Sequence, residues 1–300
     1  MTDTLVLDAA DRLFADHATT AVVNAAEAGT WPATVWQAAE DAGFPDALVE
    51  LDGLADAVAI LRAAGRHAVP LPLPETMLAR FALAAGRLKA PPGPLTLAPV
   101  ERDDVLSLRR ADDGWHLSGV ARRVPWVGGA KGIVVVAGGL VALVPPARVE
   151  RHGGVNLAGE PRDAVSFDLM LAADAVTSLP QPADIDLLYR LGALCRAAQM
   201  AGALETALAL AVQYANDRVQ FGRPIGKFQA IQQQLALLAE QVAAATVAVT
   251  NAADAIAAGE DAFFAAAIAK IRAGEAAGRS GDIAHQVHGA IGRASCRERV

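Results

Sequence analysis

The sequence predicts an α+β multidomain chain in three successive parts. These are an N-terminal helical domain over residues 1–90, a middle β-domain over 91–180 and a C-terminal helical bundle over 181–292, with an atypical tail at 293–300. Three observations predict this order. Apolar residues recur at helical spacing up to Arg87, shift to a period of about two beyond Ala90–Pro94, and return to helical spacing from Asp184. Proline and glycine mark the first change of period, and Pro180-Gln181-Pro182 marks the second. The last region holds three long amphipathic segments in a row, the pattern of a bundle.

The composition excludes several function classes. At 53% hydrophobic and 20% charged, with a net charge of −7, the chain reads as a folded acidic protein. That charge speaks against nucleic-acid binding by electrostatics alone. No run approaches the roughly 18 unbroken apolar residues that span a bilayer. Met1-Thr2-Asp3-Thr4 is not a basic signal-peptide start, so a cytoplasmic location is expected. Cys195 falls in an apolar helical segment and Cys296 in a basic tail, which predicts neither a disulfide nor a metal site.

In the first part, Leu7, Ala10 and Leu13 share one helical face, and Val35, Ala38, Ala39 and Ala42 another. Gly29-Thr30-Trp31-Pro32 reads as a helix start with Thr30 as N-cap, and Trp31 and Trp36 are expected in the core. The prolines between Gly65 and Pro74 stop a helix that is expected to resume at Thr76. In the second part, Asp112-Asp113-Gly114 is a turn signal between Val105–Leu108 and the alternating Trp115–Gly119, predicting a hairpin. Ile133–Val136 and Leu140–Val144 read as buried strands, and Val165–Leu169 as another.

In the third part, a stripe from Leu187 through Leu191, Leu194, Ala198 and Ala201 to Val212 predicts a helix of about thirty residues. The next stripe runs from Phe228 through Leu235 and Val242, and Gly259-Glu260-Asp261 separates it from a third containing Phe264, Ile268 and Ile271. Between the first two lies a junction broken by Gly222, Pro224 and Gly226. Arginines, a lysine and glutamines crowd this turn. Taken alone they are equally the residues of a solvated loop.

Residues 214–229 read Y-x-x-x-R-x-Q-F-G-x-P-I-x-x-F-Q, which closely resembles the helix junction of the acyl-CoA dehydrogenase family of flavoproteins. The likeness extends over nearly the whole chain to Gly292 and implies the same helical, β and helical order. It implies FAD as cofactor, held between the β-domain and the bundle, with its pyrophosphate reaching a neighbouring subunit. The motif places cofactor-binding roles on Arg218, Gln220, Phe221, Phe228 and Gln229. A guanidinium suits a diphosphate, because it stays charged and offers forked donors. Gln286-Val287-His288-Gly289-Ala290-Ile291-Gly292 resembles the family's Q-x-x-G-G-x-G segment and adds Gln286 and Gly289, with Ala290 where the second glycine is usual. His288 lacks partners at ligand spacing and reads as a packing residue. Trp126-Val127-Gly128-Gly129-Ala130 resembles W-I-T-N-A, whose tryptophan and hydroxyl residue lie beside the isoalloxazine. Trp126 is therefore either a flavin neighbour or a core aromatic. Gly128 replaces the hydroxyl, so a hydrogen bond to the ring is expected from backbone.

The departures from the family set the remaining expectations. Leu95-Thr96-Leu97-Ala98-Pro99 stands where T-E-P is usual, without the G-S-D that follows. The family's glutamate base lies beyond the Q-x-x-G-G-x-G segment, and its other known base position and a substrate-touching arginine fall on Gly192 and Ala193, with Arg190 as a stand-in. Catalytic residues are thus not identified, and residues 293–300 look like a foreign tail or a truncated frame. The favoured expectation is an FAD-dependent acyl-CoA dehydrogenase, incomplete as written, that does not efficiently desaturate acyl-CoA by itself. The alternatives are a non-catalytic FAD-binding partner subunit of a hetero-oligomer and a purely structural helical protein. Acyl-CoA, a homo- or hetero-oligomer through the bundle, and an electron-transferring flavoprotein are the partners the resemblance implies.

Overall fold

Small residues on helical stripes and β-branched runs between turns give the chain its three layers. The computed structural model describes residues 2–180 and 183–289. Five helices come first: α1 (Thr2–His17), α2 (Thr20–Glu27), α3 (Ala33–Asp41), α4 (Leu54–Arg66) and α5 (Leu73–Ala85). Pro32, not Thr30, occupies the N-cap of α3, and no side chain caps that helix. Pro32 has φ −81 and ψ 69, outside the helical region, and Ala33 N donates across it to Trp31 O at 2.9 Å, so the first helical residue is Ala33. Helix α5 begins at Leu73 rather than Thr76, because Pro74 fits a first turn whose amide has no helical acceptor. Nearly all of α5 is buried, including Glu75, Thr76 and Arg80.

The β-domain follows, with β1 (Leu95–Ala98), β2 (Val105–Ala111), β3 (Gly114–Pro125), β4 (Gly132–Ala137), β5 (Leu140–Val144), β6 (Glu150–His152), β7 (Arg162–Ala172) and β8 (Val176–Ser178). They form two sheets, ordered β1-β4-β5-β8 and β2-β3-β7-β6. Strands β1 and β4 run parallel; the other pairings are antiparallel. The unbroken apolar run of β4 has a clear cause. Ile133 and Val135 enter the core between the sheets, while Val134 and Val136 join the helical core. A strand covered on both faces needs apolar residues at every position.

The bundle is built from α6 (Ile185–Asp217), α7 (Gln229–Ala257) and α8 (Ala262–Val287), with the short pair β9 (Val219–Gln220) and β10 (Arg223–Pro224) in the corner between α6 and α7. Asp184 caps α6 by accepting from Leu187 N at 2.8 Å, and Asp261 caps α8 by accepting from Phe263 N at 2.8 Å. Helix α7, at 29 residues, is by length and composition apolar enough to cross a membrane. Leu238, Val242, Ala245 and Val249 on that helix pack in the bundle core.

Close approach between α4 and α6 joins the first and third parts. An added Cβ at Gly65 would sit 2.0 Å from Gln199 O, and one at Gly202 would sit 1.9 Å from Arg62 O. Each helix thus presents a glycine to the other's backbone. Beside this contact Glu205 accepts from Arg62 at 2.7 Å and Arg66 at 2.5 Å.

Candidate functional site

Two hollows meet at Arg196, and the local chemistry of α5 and α6 makes both. Thr76 ties α5 to the β-domain, donating to Leu95 O at 3.1 Å and accepting from Leu95 N at 3.0 Å. On the same helix, Arg80 bonds Glu40 at 3.1 Å and Asp46 at 2.7 Å, and Glu40 also accepts from Gly93 N at 2.7 Å. These buried polar contacts fix α5 against the start of β1 and leave a cavity of about 300 Å³ beside it. Leu78, Leu97, Ile185 and Leu188 supply apolar wall, and Gly192 and Ala193 lie on its α6 side.

The second hollow is a cleft of about 1090 Å³ bordered by Trp31, Trp126, Gly128, Gly129, Arg151, Gln199 and Lys270. A register shift between Ala121 and Val124 in β3 re-aims the strand end that leads into this segment. Trp126 has φ 56, a left-handed conformation that a bulky residue adopts at a cost of order 1–3 kcal/mol. Its ring meets Trp31 edge-on, with centroids 6.2 Å apart. Trp31, expected in the core, is half-buried and faces the cleft, whereas Trp36 is buried. A tryptophan after a helix can seal one layer against another while keeping one face accessible.

An alternating set of charges divides the two hollows. Glu75 pairs with Arg196 in a very short contact, Arg162 lies 3.8 Å from Glu75, and Arg162 also bonds Glu160 at 2.8 Å. Burial pushes the Arg162 guanidinium below its ordinary value, while Glu75 holds that of Arg196 above it. The small cavity has a second carboxylate, Glu101, which pairs with Arg123 at 3.3 Å. Glu101 O accepts from Tyr189 at 3.1 Å, so the segment following β1 is strapped to α6 where the G-S-D residues are absent. Arg190 does not line the cavity; its guanidinium lies 5.6 Å from the Phe263 ring centroid.

The junction residues gather elsewhere, at one end of the bundle. Arg218 closes α6, its N donating to Tyr214 O at 2.8 Å and its O accepting from Ile225 N at 2.8 Å. Phe221 is 93% exposed with φ 53, and its ring lies 6.1 Å edge-on from that of Phe228. Arg223 covers Phe228 at 4.3 Å, Gln220 is exposed, and Gln229 opens α7. Tyr214 stacks on His288 at 4.5 Å, which brings Gln286 and Gly289 at the end of α8 to the same place. Ala290 to Gly292 and the tail lie outside the described residues. Of the candidate cofactor residues, only Trp126 borders the cleft. The sequence reading missed Glu75, Arg151, Arg162 and Arg196. A single glutamate within the buried stretch Leu73–Leu83 was the one available signal, since a charge enters such a helix only with a partner.

Comparisons with known proteins bear on this arrangement. Residues 190–298 match the family described as acyl-CoA dehydrogenase, C-terminal domain. Acyl-CoA dehydrogenase IpdE2 of Mycobacterium tuberculosis is 31% identical over 289 residues, a match that covers 93% of this chain and 82% of that protein. A variant of the Tcur3481-Tcur3483 steroid ACAD superposes with a TM-score of 0.84 at 26% identity, covering 97% of this chain and 88% of that one. The ChsE4-ChsE5 complex from Mycobacterium tuberculosis gives a TM-score of 0.83 at 24% identity, covering 97% and 87%, and shows likeness of fold.

Proposed function

The chain belongs to the acyl-CoA dehydrogenase family, and from that premise we propose that it binds FAD in the Trp126 cleft and an acyl-CoA thioester in the adjoining cavity, for α,β-desaturation. The observation that carries this reading is the meeting of the two hollows at Arg196. The larger has aromatic walls, a stretch without side chains at Gly128-Gly129, and cationic groups on Arg151 and Lys270. Those features fit a planar ring system with a polar extension, and the volume of about 1090 Å³ lies at the top of the range for ligand pockets, about 300–1,000 Å³. When bound, FAD supplies the hydride acceptor.

This chain's residues then bind, orient and exclude water. Leu78, Leu97, Ile185 and Leu188 give an acyl chain an apolar wall. At the far end of the bundle, the guanidinium of Arg218 has no side-chain partner among the described residues and is free to meet a diphosphate from a neighbouring subunit's FAD. Removal of the α-proton is the step these residues support least. Both carboxylates that line the small cavity are already engaged by arginines, Glu75 by Arg196 and Glu101 by Arg123, so neither stands free to meet a substrate proton.

That pairing favours a second reading, in which the chain is the FAD-holding partner of a subunit that supplies the base. Anaerobic mixing of FAD-loaded protein with a panel of acyl-CoAs separates the two. Flavin bleaching with enoyl-CoA formation supports desaturation by this chain. A spectral perturbation without bleaching, converted to bleaching by a second subunit, supports the partner role. Failure to retain FAD overturns both.

A further inference from the structure

The expectation that backbone alone would face the flavin at Gly128 leaves out a side chain from another strand. A Cβ built on Gly128 would lie 2.2 Å from Arg151 Nη1. The guanidinium therefore occupies the space that any side chain at position 128 would need. Arg151 projects from β6, which pairs with β7 at Val165. Its Nη1 bonds Asp163 Oδ2 at 3.3 Å, and Asp163, 3% exposed, also accepts from Gly154 N at 3.2 Å. A buried carboxylate thus holds one arm of the fork in place. Nε and Nη2 have no hydrogen-bond partner among the described residues, and the side chain is half exposed on the border of the cleft. The guanidinium, with donors unpartnered on Nε and Nη2, borders the same cleft as Trp126 and Gly129.

Resting on the FAD reading above, we propose that Arg151 is the residue that hydrogen-bonds the reactive edge of the flavin ring and sets its reduction potential, in place of a hydroxyl at position 128. A fixed positive charge beside a ring that gains electrons stabilises the reduced form more than the oxidised one. Asp163, which also borders the cleft, offsets part of this field, and with Gly154 N on its other oxygen it fixes the position of the guanidinium. Gly128 and Arg151 depend on each other, since a side chain at 128 expels the guanidinium. Arg151 acts by hydrogen bonding and charge, and no proton or electron passes through it.

The test is a redox titration of FAD-loaded protein against a dye of known potential, with FAD affinity measured in parallel. Arg151→Gln keeps length and donors but removes the charge. It is expected to lower the equilibrium constant for two-electron reduction by about tenfold or more, which is about 30 mV. Arg151→Lys keeps the charge and is expected to stay within about threefold of the parent. Gly128→Val, which adds bulk but no hydroxyl, displaces the guanidinium without altering Arg151 and is expected to shift the potential in the same direction as Arg151→Gln. A purely structural Arg151 would give no rescue by lysine and no parallel between positions 128 and 151. If Arg151→Gln does not fold, Gly128→Val decides. Equilibrium constants for reduction within about twofold of the parent in the folded variants, a shift of about 9 mV or less, overturn the proposal while leaving the FAD reading intact. Absence of FAD binding by the parent overturns both.

Discussion

Arg218 and Arg223 lie five positions apart in one turn, yet the structure gives them different work. Arg223 is spent on the face of Phe228, whereas the guanidinium of Arg218 has no such partner. Arg218→Ala is therefore expected to weaken FAD binding by the loss of a charge-assisted contact, about 1.5–3 kcal/mol or roughly tenfold to a hundredfold. Arg223→Ala should have a much smaller effect, and equal effects in a titration of apoprotein would remove the distinction. Cys195 makes a second residue-scale case. Burial pushes its thiol up to about 12, so the neutral form persists well above the usual thiol range. The folded state holds this proton where an unfolded chain releases it, so the thiol contributes nothing to pH dependence below about pH 8 and lowers stability as pH rises from there. Mass spectrometry after alkylation at about pH 8 should find Cys195 unmodified in native protein and modified in denaturant; rapid native labelling would show that α6 opens. At this scale the sequence offers a motif of fixed spacing, which singles out Arg218, and the cofactor role of that residue is a proposal. Arg151 was not legible, because its place in the cleft comes from proximity to Gly128, in the turn between β3 and β4 and far from it in sequence.

At the scale of elements, periodicity carried most of the fold. Helix α6 is 33 residues long against an expected thirty or so, and the hairpin of β2 and β3 turns at Asp112-Asp113-Gly114. Element starts were less legible, as Ala33 and Leu73 illustrate, since proline geometry outweighed the cap chemistry of Thr30 and the preference for ending helix at Pro74. The contact between α4 and α6 was hidden altogether, because glycine in a helix looks like a weak position until the second helix is known. It yields a test. Gly202→Val would drive its side chain into Arg62 O and is expected to destabilise the protein by about 1–3 kcal/mol or more, read as a lower urea midpoint. Gly274 lies on α8 with nothing within 4 Å of an added Cβ, so Gly274→Ala should be neutral or stabilising by about 0.5–1 kcal/mol. Equal midpoints for the two variants would mean that α4 and α6 do not meet through their backbones.

For the whole molecule, the separation of the two regions proposed to meet FAD has a consequence for assembly. Trp126 borders the cleft of this chain, while Arg218, Gln220, Phe221 and Phe228 stand at the bundle's end and border neither hollow. A chain that used both sets on one FAD within itself would need them side by side. Two chains need only place the bundle end of one against the cleft of the other. The surface chemistry agrees. Phe221 is 93% exposed at the junction, and Phe264, Ile268 and Ile271 expose 66%, 41% and 59% along one stripe of α8. Leu237 and Val247 add apolar surface on α7. Apolar area of this extent, set on regular helices, is characteristic of surface that another protein covers. Light scattering at micromolar concentration is therefore expected to give at least twice the chain mass of 30.9 kDa, alone or with a sister subunit. Phe221→Ser should reduce FAD retention together with the assembled fraction, since the same corner would serve both. A species of 30.9 kDa that nevertheless retains FAD at full stoichiometry would show that the cleft suffices by itself and that the junction serves some other purpose.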